Sequence, residues 1–289
     1  MNIIPHIKEN GRKYILGILF LTACFVWYSM LLEALRTKLT VAFLDIGQGD
    51  SIFIEAPNGN QILIDGGSGA SVLRKLSNVM PYYDRSIDVV IATHPDKDHV
   101  GGLVDVLNRF SVSYFVEPGV LGTTDVFKSL EKSVESHNVK KVIARRGGNI
   151  DLGDGVVLNI LFPDHDVSRV KDTNDGSIVA RLSYRATSAM LTGDAPQSVE
   201  ARLVALFGKK LESNILKLGH HGSRTSSSAA FLGYVNPAYA IISAGLNNSY
   251  GHPHKEVTDL LEKFKIPTLK TYEDGTIIFK SDGDNIEKY

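Results

Sequence analysis

The amino-acid sequence predicts an α/β fold in which helices cover the outer faces of β-sheets, preceded by one transmembrane helix. A charge-free apolar run lies near the start of the sequence. Short β-rich segments follow with helical stretches between them, and no linker, repeat or low-complexity segment interrupts them. With 289 residues, 43% of them hydrophobic, the chain holds enough apolar material for a sizeable core.

The opening apolar run extends from Tyr14 to Leu32 without a charged residue. As a helix it would be about 28 Å long, which is enough to cross a bilayer. Arg12 and Lys13 directly precede it and favour a cytoplasmic N-terminus with an exported remainder. The sequence therefore predicts a single-pass cell-membrane protein with a cytoplasmic segment at 1–13, a signal anchor at 14–32 and an extracytoplasmic domain at 39–289.

Other interpretations of this run stay open. A basic start before an apolar stretch also describes a cleaved signal peptide, and residues 21–24 (LTAC) resemble a bacterial lipoprotein cleavage box. The apolar run continues past Cys24, which favours an uncleaved anchor. Arg36 and Lys38 beyond the run weaken the orientation bias, so a cytoplasmic domain is an alternative.

The charge balance argues against a protein that grips nucleic acid mainly by its phosphates. The chain has 31 Lys and Arg against 32 Asp and Glu, whereas such a protein carries a strong positive field. A local basic patch at Lys140, Lys141, Arg145 and Arg146 could touch phosphates, but we interpret it as a solvated surface. The single cysteine excludes an internal disulfide.

Hydrophobic periodicity predicts the elements of the domain. Strands are expected at 39–45, 51–55, 61–64, 89–93, 156–162, 177–184, 189–192, 215–218, 239–243 and 276–279. Helices are expected at 70–79, 103–110, 125–137, 196–207 and 255–264. Many strands are uninterrupted Val/Ile/Leu runs, which indicates burial on both faces.

The strongest functional signal is the segment 93–99, THPDKDH, which follows an apolar strand and precedes two glycines. It brings four potential metal ligands into six residues: His94, Asp96, Asp98 and His99. A strand that ends in a tight loop can aim such side chains into one cavity. Imidazole and carboxylate ligands suit divalent cations that activate water, so the segment predicts a metal site rather than a surface turn.

Residues 94–99 resemble the H-x-H-x-D-H motif of the metallo-β-lactamase superfamily, with Asp96 in place of the second His. Further segments resemble, in order, the C-terminal hydrolase domain of ComEC/Rec2 competence (DNA-uptake) proteins: DIGQGDS at 45–51, LIDGG at 63–67, LTGD at 191–194, GHHGS at 219–223 and YGHP at 250–253. The resemblance covers about 39–280. It implies a four-layer αββα sandwich and a metal-dependent phosphodiesterase or nuclease.

The resemblance also implies a ligand set for two divalent cations. One would lie near His94 and Asp96 and the other near Asp98 and His99, with Asp194 between them. His221 or its neighbour His220 would be a further ligand; because side chains at a strand end alternate, only one of the pair is expected to ligate. Asp96 makes the site harder, which moves the preferred metal from zinc towards manganese or magnesium.

Supporting roles are expected for other residues of these motifs. Ser223 could hydrogen-bond a substrate oxygen, and His252 could ligate a cation, act as general acid or bind substrate, which makes both candidate catalytic residues beside Asp98. Asp65 would support the ligands from behind. The turn that ends in Asp50 could pack beneath the metals, although we favour a structural role as a hairpin connection.

Residues 173–177 occupy the place where many superfamily members have a further His ligand. Asn174 is a poorer ligand than histidine, which would leave one cation more weakly bound, and Ser177 follows it near the substrate. A plain surface turn is an equally good interpretation of this segment. His254 is interpreted as an exposed residue of a first helical turn.

The resemblance points to single- or double-stranded DNA as substrate, handled outside the membrane. The sequence holds no multi-span channel region like that of the ComEC family, so a role in DNA uptake would require a separate channel protein. One alternative is a metallo-hydrolase of an ester, a lactone or a phosphorylated envelope component. Another is a non-catalytic binding module tethered to the membrane.

Overall fold

The computed structural model describes residues 3–34 and 38–289, and it separates the chain into two units, Met1–Thr37 and Lys38–Tyr289. The first unit is one helix, α1, from Ile3 to Ala34. It is longer than the predicted run at both ends, and its part from Asn10 to Leu31 is long and apolar enough to cross a membrane. Arg36, used above for orientation, lies outside the described residues.

The second unit contains two mixed sheets and eight short helices in the described part of the chain. Its strands are Leu39–Phe43 (β1), Ile52–Glu55 (β2), Gln61–Ile64 (β3), Ser86–Ile91 (β4), Ser111–Glu117 (β5), Lys140–Ile143 (β6), Asn149–Gly153 (β7), Val156–Phe162 (β8), Val179–Tyr184 (β9), Thr187–Leu191 (β10), Ile215–Lys217 (β11), Tyr239–Ile242 (β12), Thr268–Lys270 (β13), Ile277–Ser281 (β14) and Ile286–Lys288 (β15). Its helices are Ser71–Val79 (α2), Lys97–Val100 (α3), Leu103–Arg109 (α4), Asp125–Ser136 (α5), Gln197–Phe207 (α6), Ala229–Val235 (α7), Lys255–Lys263 (α8) and Thr271–Asp274 (α9).

The strand order places the parallel strands of each sheet together. One sheet has eight strands in the order β15-β14-β1-β2-β3-β4-β5-β6, and the other has seven in the order β13-β12-β11-β10-β9-β8-β7. Strands β3 to β6 run parallel, and so do β10 to β13. Loops that follow parallel strands emerge at one edge of a sheet, which is where such folds gather their sites.

Three apolar clusters hold the layers together. The central one joins the inner faces of the two sheets and includes Val41, Ile91, Leu182 and Ile241. A second packs the eight-stranded sheet against α2, α4 and α5, and a third packs the seven-stranded sheet against α6, α7 and α8. This is the predicted four-layer αββα sandwich. Strands β2, β3 and β10 are buried throughout, including their polar residues Glu55, Gln61, Thr187 and Ser188.

Every predicted strand is present, with ends displaced by up to three residues. The unpredicted strands are β5, β6, β7, β13 and β15. Four of them, β6, β7, β13 and β15, lie at sheet edges, where the apolar pattern is weak, and the first half of β5 is largely exposed. The strand predicted at 177–184 begins at Val179, because residues 173–176 form a 3₁₀ turn.

The basic patch at 140–146 is engaged within the fold. Lys141 forms ion pairs with Glu117 at 2.9 Å and with Glu131 at 2.5 Å. The Arg145 guanidinium donates to the carbonyl oxygens of Pro118 and Ala144. These contacts agree with a surface role rather than with a phosphate-binding one.

Candidate metal centre

The predicted ligands converge at the loop edge where the two sheets meet. On the eight-stranded sheet, β4 ends at Ile91 and the chain runs through His94 into α3, which presents Asp98 and His99. On the seven-stranded sheet, β10 ends at Leu191 and Asp194 follows. Gly193 between them has φ +50°, and a Cβ there would lie 3.0 Å from the Thr93 Cβ, so the close approach of the two loops favours glycine.

Asp194 lies at the centre of the histidine cluster. Its Oδ2 is 3.3 Å from the Nε2 of His99, 3.4 Å from that of His221, 3.8 Å from that of His220 and 3.9 Å from that of His94. The side chain is almost wholly buried. The structure therefore brings this aspartate to the position between the ligands that the sequence predicted.

The Nδ1 atom of each of these four histidines is engaged by the protein. His94 pairs with the Thr93 hydroxyl at 3.0 Å, His99 with Asp65 Oδ2 at 2.8 Å, His220 with the Thr225 hydroxyl at 3.1 Å and His221 with the Ser243 carbonyl at 2.9 Å. A histidine whose Nδ1–H donates to an acceptor keeps the lone pair of its neutral ring on Nε2. All four rings thus present the ligating atom towards Asp194.

His220 and His221 do not alternate as expected. Strand β11 ends at Lys217, and both histidines lie in a 3₁₀ turn with left-handed backbone, φ 49° and 55°. The alternation of side chains along a strand does not apply to them, because the strand has already ended, and the expectation that only one of the pair ligates stays a prediction. Two consecutive non-glycine residues in this conformation are strained, and such strain is typical of functional turns.

Asp65 supports the cluster from behind. Its carboxylate accepts from the Thr93 backbone N–H at 2.8 Å, from the Thr93 hydroxyl at 2.7 Å and from His99 Nδ1. A carboxylate that holds the remote nitrogen of a ligand histidine fixes its ring orientation. The geometry matches the expected supporting position of Asp65.

Lys217 is a charged member of the cluster that the sequence analysis missed. It is fully buried and forms an ion pair with Asp50. Its Nζ is also 3.6 Å from Asp194 Oδ1 and donates to the Gly193 carbonyl at 3.0 Å. A lone lysine in the otherwise apolar strand Ile215–Lys217 was the available signal, because a buried charge needs a partner.

Asp50 also lies within the charged cluster rather than in a simple hairpin turn. Its Oδ1 is 3.4 Å from His221 Nδ1, and its Oδ2 is 3.8 Å from His99 Nδ1. The preceding Gly49 packs against α3, where a Cβ would collide with the carbonyl oxygen of Asp98. The favoured hairpin role of this turn therefore describes only part of what the structure shows.

Asp96 and Asp98 form the outer part of the site. The Asp96 side chain is 40% exposed, lies 3.7 Å from His94 Nε2 and accepts from the Thr173 hydroxyl at 2.7 Å. The Asp98 side chain is 29% exposed and lies 3.4 Å from His221 Nε2. Asp96 therefore lies beside His94, whereas Asp98 approaches the opposite loop.

The remaining predicted residues occupy less central positions. The Ser177 hydroxyl accepts from the Asp194 backbone N–H at 3.3 Å, which supports the central aspartate. Asn174 lies in the 3₁₀ turn, where it is Thr173 that donates to Asp96. The Ser223 hydroxyl accepts from Thr225 rather than contacting a predicted ligand.

His252 lies beside the histidine turn. Its ring centroid is 5.3 Å from that of His220 and 6.1 Å from that of His221. Burial, together with the positive charge of His220 and His221, lowers the pKa of His252 to about 4. The ring is therefore neutral at neutral pH.

Protons compensate the buried carboxylates in the metal-free protein. Burial lowers the pKa of His221, but Asp194 and Asp50 outweigh it and raise that pKa to about 9. Burial likewise opposes the charged form of His99, yet Asp194 and Asp65 hold its pKa well above the ordinary value. His94 differs, since burial and the His99 charge lower its pKa to about 3.

Asp194 shows the other side of this balance. Burial raises its pKa, but His221, His99 and Lys217 outweigh burial and hold that pKa well below the ordinary value. The same carboxylate is thus charged while His99 and His221 beside it carry protons. Replacing those protons by a divalent cation would keep the charge compensated.

The residues present fit a divalent cation. Asp50, His99, Asp194 and His221 offer ligand atoms that all lie within 4.8 Å of one another. Among the described residues, the buried polar atoms without a hydrogen-bond partner include Nε2 of His94, His99 and His221 and Oδ1 of Asp194. Buried nitrogen and oxygen atoms that converge without hydrogen-bond partners are typical of metal ligands.

Two facing sheets with a histidine and aspartate cluster at their loop edge define a class of metal-binding αββα proteins. A sequence model of the Metallo-beta-lactamase superfamily matches residues 44–245, and the chain belongs to this superfamily.

Within the superfamily, the chain is similar to competence proteins. The chain is 30% identical to ComE operon protein 3 of Bacillus subtilis over 89% of this chain and 35% of that protein. It is 30% identical to Competence protein ComA of Neisseria gonorrhoeae over 84% of this chain and 32% of that protein. These similarities confirm the resemblance to competence proteins, and the chain spans about a third of their length.

A solved structure supports the fold. Igni18, a metallo hydrolase from Ignicoccus hospitalis, matches with a TM-score of 0.55 and 14% identity, covering 83% of this chain and 98% of that one. At this identity the similarity shows the shared fold. The two proteins therefore share the αββα architecture described above.

Proposed function

We propose that this protein is a metal-dependent phosphodiesterase that cleaves DNA outside the membrane. The single observation that carries the proposal is the buried Asp194 carboxylate with four imidazole Nε2 atoms within 3.9 Å. Few arrangements other than a metal site stabilise so many converging ligand atoms in a buried cluster. The competence proteins to which the chain is similar support DNA as the substrate class.

We assign the ligands to two cations that share Asp194. His94 and Asp96 would hold one, and His99, His221 and Asp98 would hold the other, with His220 between them at the outer edge. Manganese or zinc suits this mixture of nitrogen and oxygen donors, and the carboxylate at 96 favours manganese or magnesium over zinc. When bound, such cations activate water and offset the negative charge that develops on a phosphoryl group.

Other side chains of the protein would orient the ligands and the substrate. Asp65 holds the His99 ring, and Ser177 holds the Asp194 backbone. A pKa of about 4 makes His252 a poor store of a proton at neutral pH. We therefore assign His252 to substrate binding by a neutral ring rather than to general acid catalysis, and solvent would protonate the leaving oxygen.

We also propose that α1 anchors the chain, with residues 1–13 in the cytoplasm, 14–32 in the membrane and 39–289 outside. A separate channel protein would be the partner in DNA uptake. Protease treatment of intact cells tests this arrangement. We expect the second unit to be digested from outside, and protection of that unit until the cells are lysed would contradict the proposed orientation.

Hydrolysis by the full-length chain in detergent tests the activity. We expect cleavage of single- or double-stranded DNA that requires Mn²⁺ and is lost in Asp194→Ala and strongly reduced in Asp98→Asn. A simple carboxylic ester and a lactone serve as competing substrates. Equal activity in wild type and both variants would refute the site, and metal-dependent hydrolysis of the ester alone would refute the phosphodiester assignment.

A further inference from the structure

We propose that Tyr250, backed by His252, is a stacking platform for one unpaired nucleobase at the rim of the metal centre. The inference rests on the proposed function and narrows its substrate to single-stranded nucleic acid. It concerns a part of the site that the ligand set does not use: the loop 245–252 between β12 and α8.

A row of aromatic rings leads from the buried ligands to the surface. The His99 and His221 rings are 5.2 Å apart, and the His252 ring is 6.1 Å from that of His221. Tyr250 then stacks on His252 at 5.7 Å with an interplanar angle of 20°. Since Tyr250 is 62% exposed, the outer end of this row faces solvent.

The loop that carries Tyr250 is held in place by Asn248. The Asn248 side-chain oxygen accepts from the backbone N–H of Tyr250 at 3.2 Å and of His252 at 3.0 Å. Its amide nitrogen donates to the carbonyl oxygens of Gly245 at 2.9 Å and His252 at 2.6 Å. The tyrosine is thus presented by a bonded turn, which lowers the entropy lost when a ligand binds.

The stacking geometry selects for a flat partner. A base–aromatic stack adds affinity and accepts any base, because every base has a π face. The same loop also exposes the apolar side chain of Leu246. A base within a duplex already has its faces covered by its neighbours, whereas a single strand can turn one base outwards.

The surroundings of the platform do not suit binding by phosphate contacts alone. Five aspartates, at positions 50, 65, 96, 98 and 194, lie in the site, and Lys217 is the buried cation among them. Arg224 is exposed beside His254, whose Nδ1 accepts from the Arg224 backbone N–H at 3.1 Å, but it also pairs with Glu256 at 3.7 Å. An uncharged contact to the base would therefore add affinity beyond what phosphate contacts at the proposed cations supply.

Binding measurements distinguish contacts to the base from contacts to the sugar–phosphate backbone. The full-length chain in detergent, with Mn²⁺, is titrated into a labelled single-stranded oligothymidylate whose phosphorothioate linkages slow hydrolysis. A second titration uses an abasic oligomer with the same backbone. Wild type is compared with Tyr250→Ala, Tyr250→Phe and Tyr250→Trp. The matched control is Tyr82→Ala. Tyr82 is 79% exposed and follows the C-terminal end of α2, which is the end away from the metal-site loops.

We expect Tyr250→Ala to weaken binding of the oligothymidylate about tenfold, which corresponds to about 1.4 kcal/mol. Tyr250→Phe, Tyr250→Trp and Tyr82→Ala should bind as wild type does, and all proteins should bind the abasic oligomer equally. Unchanged binding in Tyr250→Ala, an equal loss on the abasic oligomer, or a loss in Tyr250→Phe would each overturn the platform. If wild type cleaves no phosphodiester while the base-dependent loss remains, the proposed function fails and the platform stands.

Discussion

The floor and the rim of the metal centre are built from the same residue types in opposite environments. The floor consists of Asp50, His99, Asp194, Lys217 and His221, all of them buried. The rim consists of Asp96, Asp98 and His220, whose side chains are 40%, 29% and 28% exposed. Water can compensate a charge at the rim, whereas the floor must compensate its charges by contact.

The buried floor and the exposed rim therefore have different tasks. On the floor, Lys217 pairs with the Asp50 carboxylate, and the raised pKa values of His99 and His221 let protons compensate the Asp194 carboxylate. Both carboxylates of the metal-free floor are thus in contact with positive charge. We expect changes in the floor to alter both stability and metal binding, and changes at the rim to alter metal choice with little effect on stability.

The largest expected effect follows from Asp194→Asn, which keeps the shape of the side chain and removes its charge. The protonated His99 and His221 and the Lys217 ammonium would lose their shared anion. Removing one partner of a buried ionic cluster costs about 3–5 kcal/mol. Denaturant unfolding in EDTA should show that loss, while the exposed control Asp154→Asn should unfold as wild type does; equal stability of the two variants would contradict the role of the floor.

The next effect concerns Lys217→Met. We expect the metal-free variant to be destabilised by about 3 kcal/mol, because Asp50 keeps a buried charge without its partner. A cation can then replace the missing ammonium, so Mn²⁺ should raise the melting temperature of the variant more than that of wild type. Thermal unfolding with and without Mn²⁺ measures both, and an equal Mn²⁺ shift in the two proteins would show that Lys217 is not coupled to the metal site.

The pH dependence of folding stability should differ between the metal-free and the metal-bound protein. The pKa of His221 is raised from 6.5 to about 9, so the folded protein holds this proton more tightly than the unfolded chain. The resulting stabilisation is complete below pH 6.5 and is lost as the pH rises to about 9. In EDTA, stability should therefore decline over this range, and His221→Asn should decline less.

With Mn²⁺ the direction should reverse, because the cation displaces protons from His99 and His221 and binds more tightly as the pH rises. Calorimetry in buffers of different ionisation enthalpy counts the protons released. Metal binding that releases no protons between pH 7 and 8 would contradict the protonated state of the floor.

The smallest effect on stability is expected at the rim, from Asp96→His. This change supplies the imidazole that the superfamily motif has at this position. We expect the ratio of Zn²⁺ to Mn²⁺ affinity to rise about tenfold, since imidazole suits zinc and carboxylate suits manganese. Unfolding free energy should change by less than about 1 kcal/mol, as is usual for exposed sites; an unchanged metal preference would place Asp96 outside the ligand set.

The fold and the location of the candidate site could be predicted because their signals are local. Apolar runs predict buried strands, and polar residues directly after such strands predict a site at the loop edge, where the structure places His94 and Asp194. The edge strand Lys140–Ile143 was missed because its four residues are all exposed and two are lysines. Its pairing depends on β5, not on its own pattern.

The floor was harder to predict because its interactions are distant in sequence. Nothing near Lys217 indicates that its partner is Asp50, and the two meet only because β11 and the loop after β1 are brought together by the sandwich. The left-handed backbone of His220 and His221 was also invisible, since residue type predicts positive φ reliably only for glycine.

Metal stoichiometry of the purified full-length chain tests the central claim most directly. The account predicts that titration with Mn²⁺ saturates two sites per chain in wild type, with Asp194 needed for both. A chain that binds neither manganese, zinc nor magnesium would contradict it.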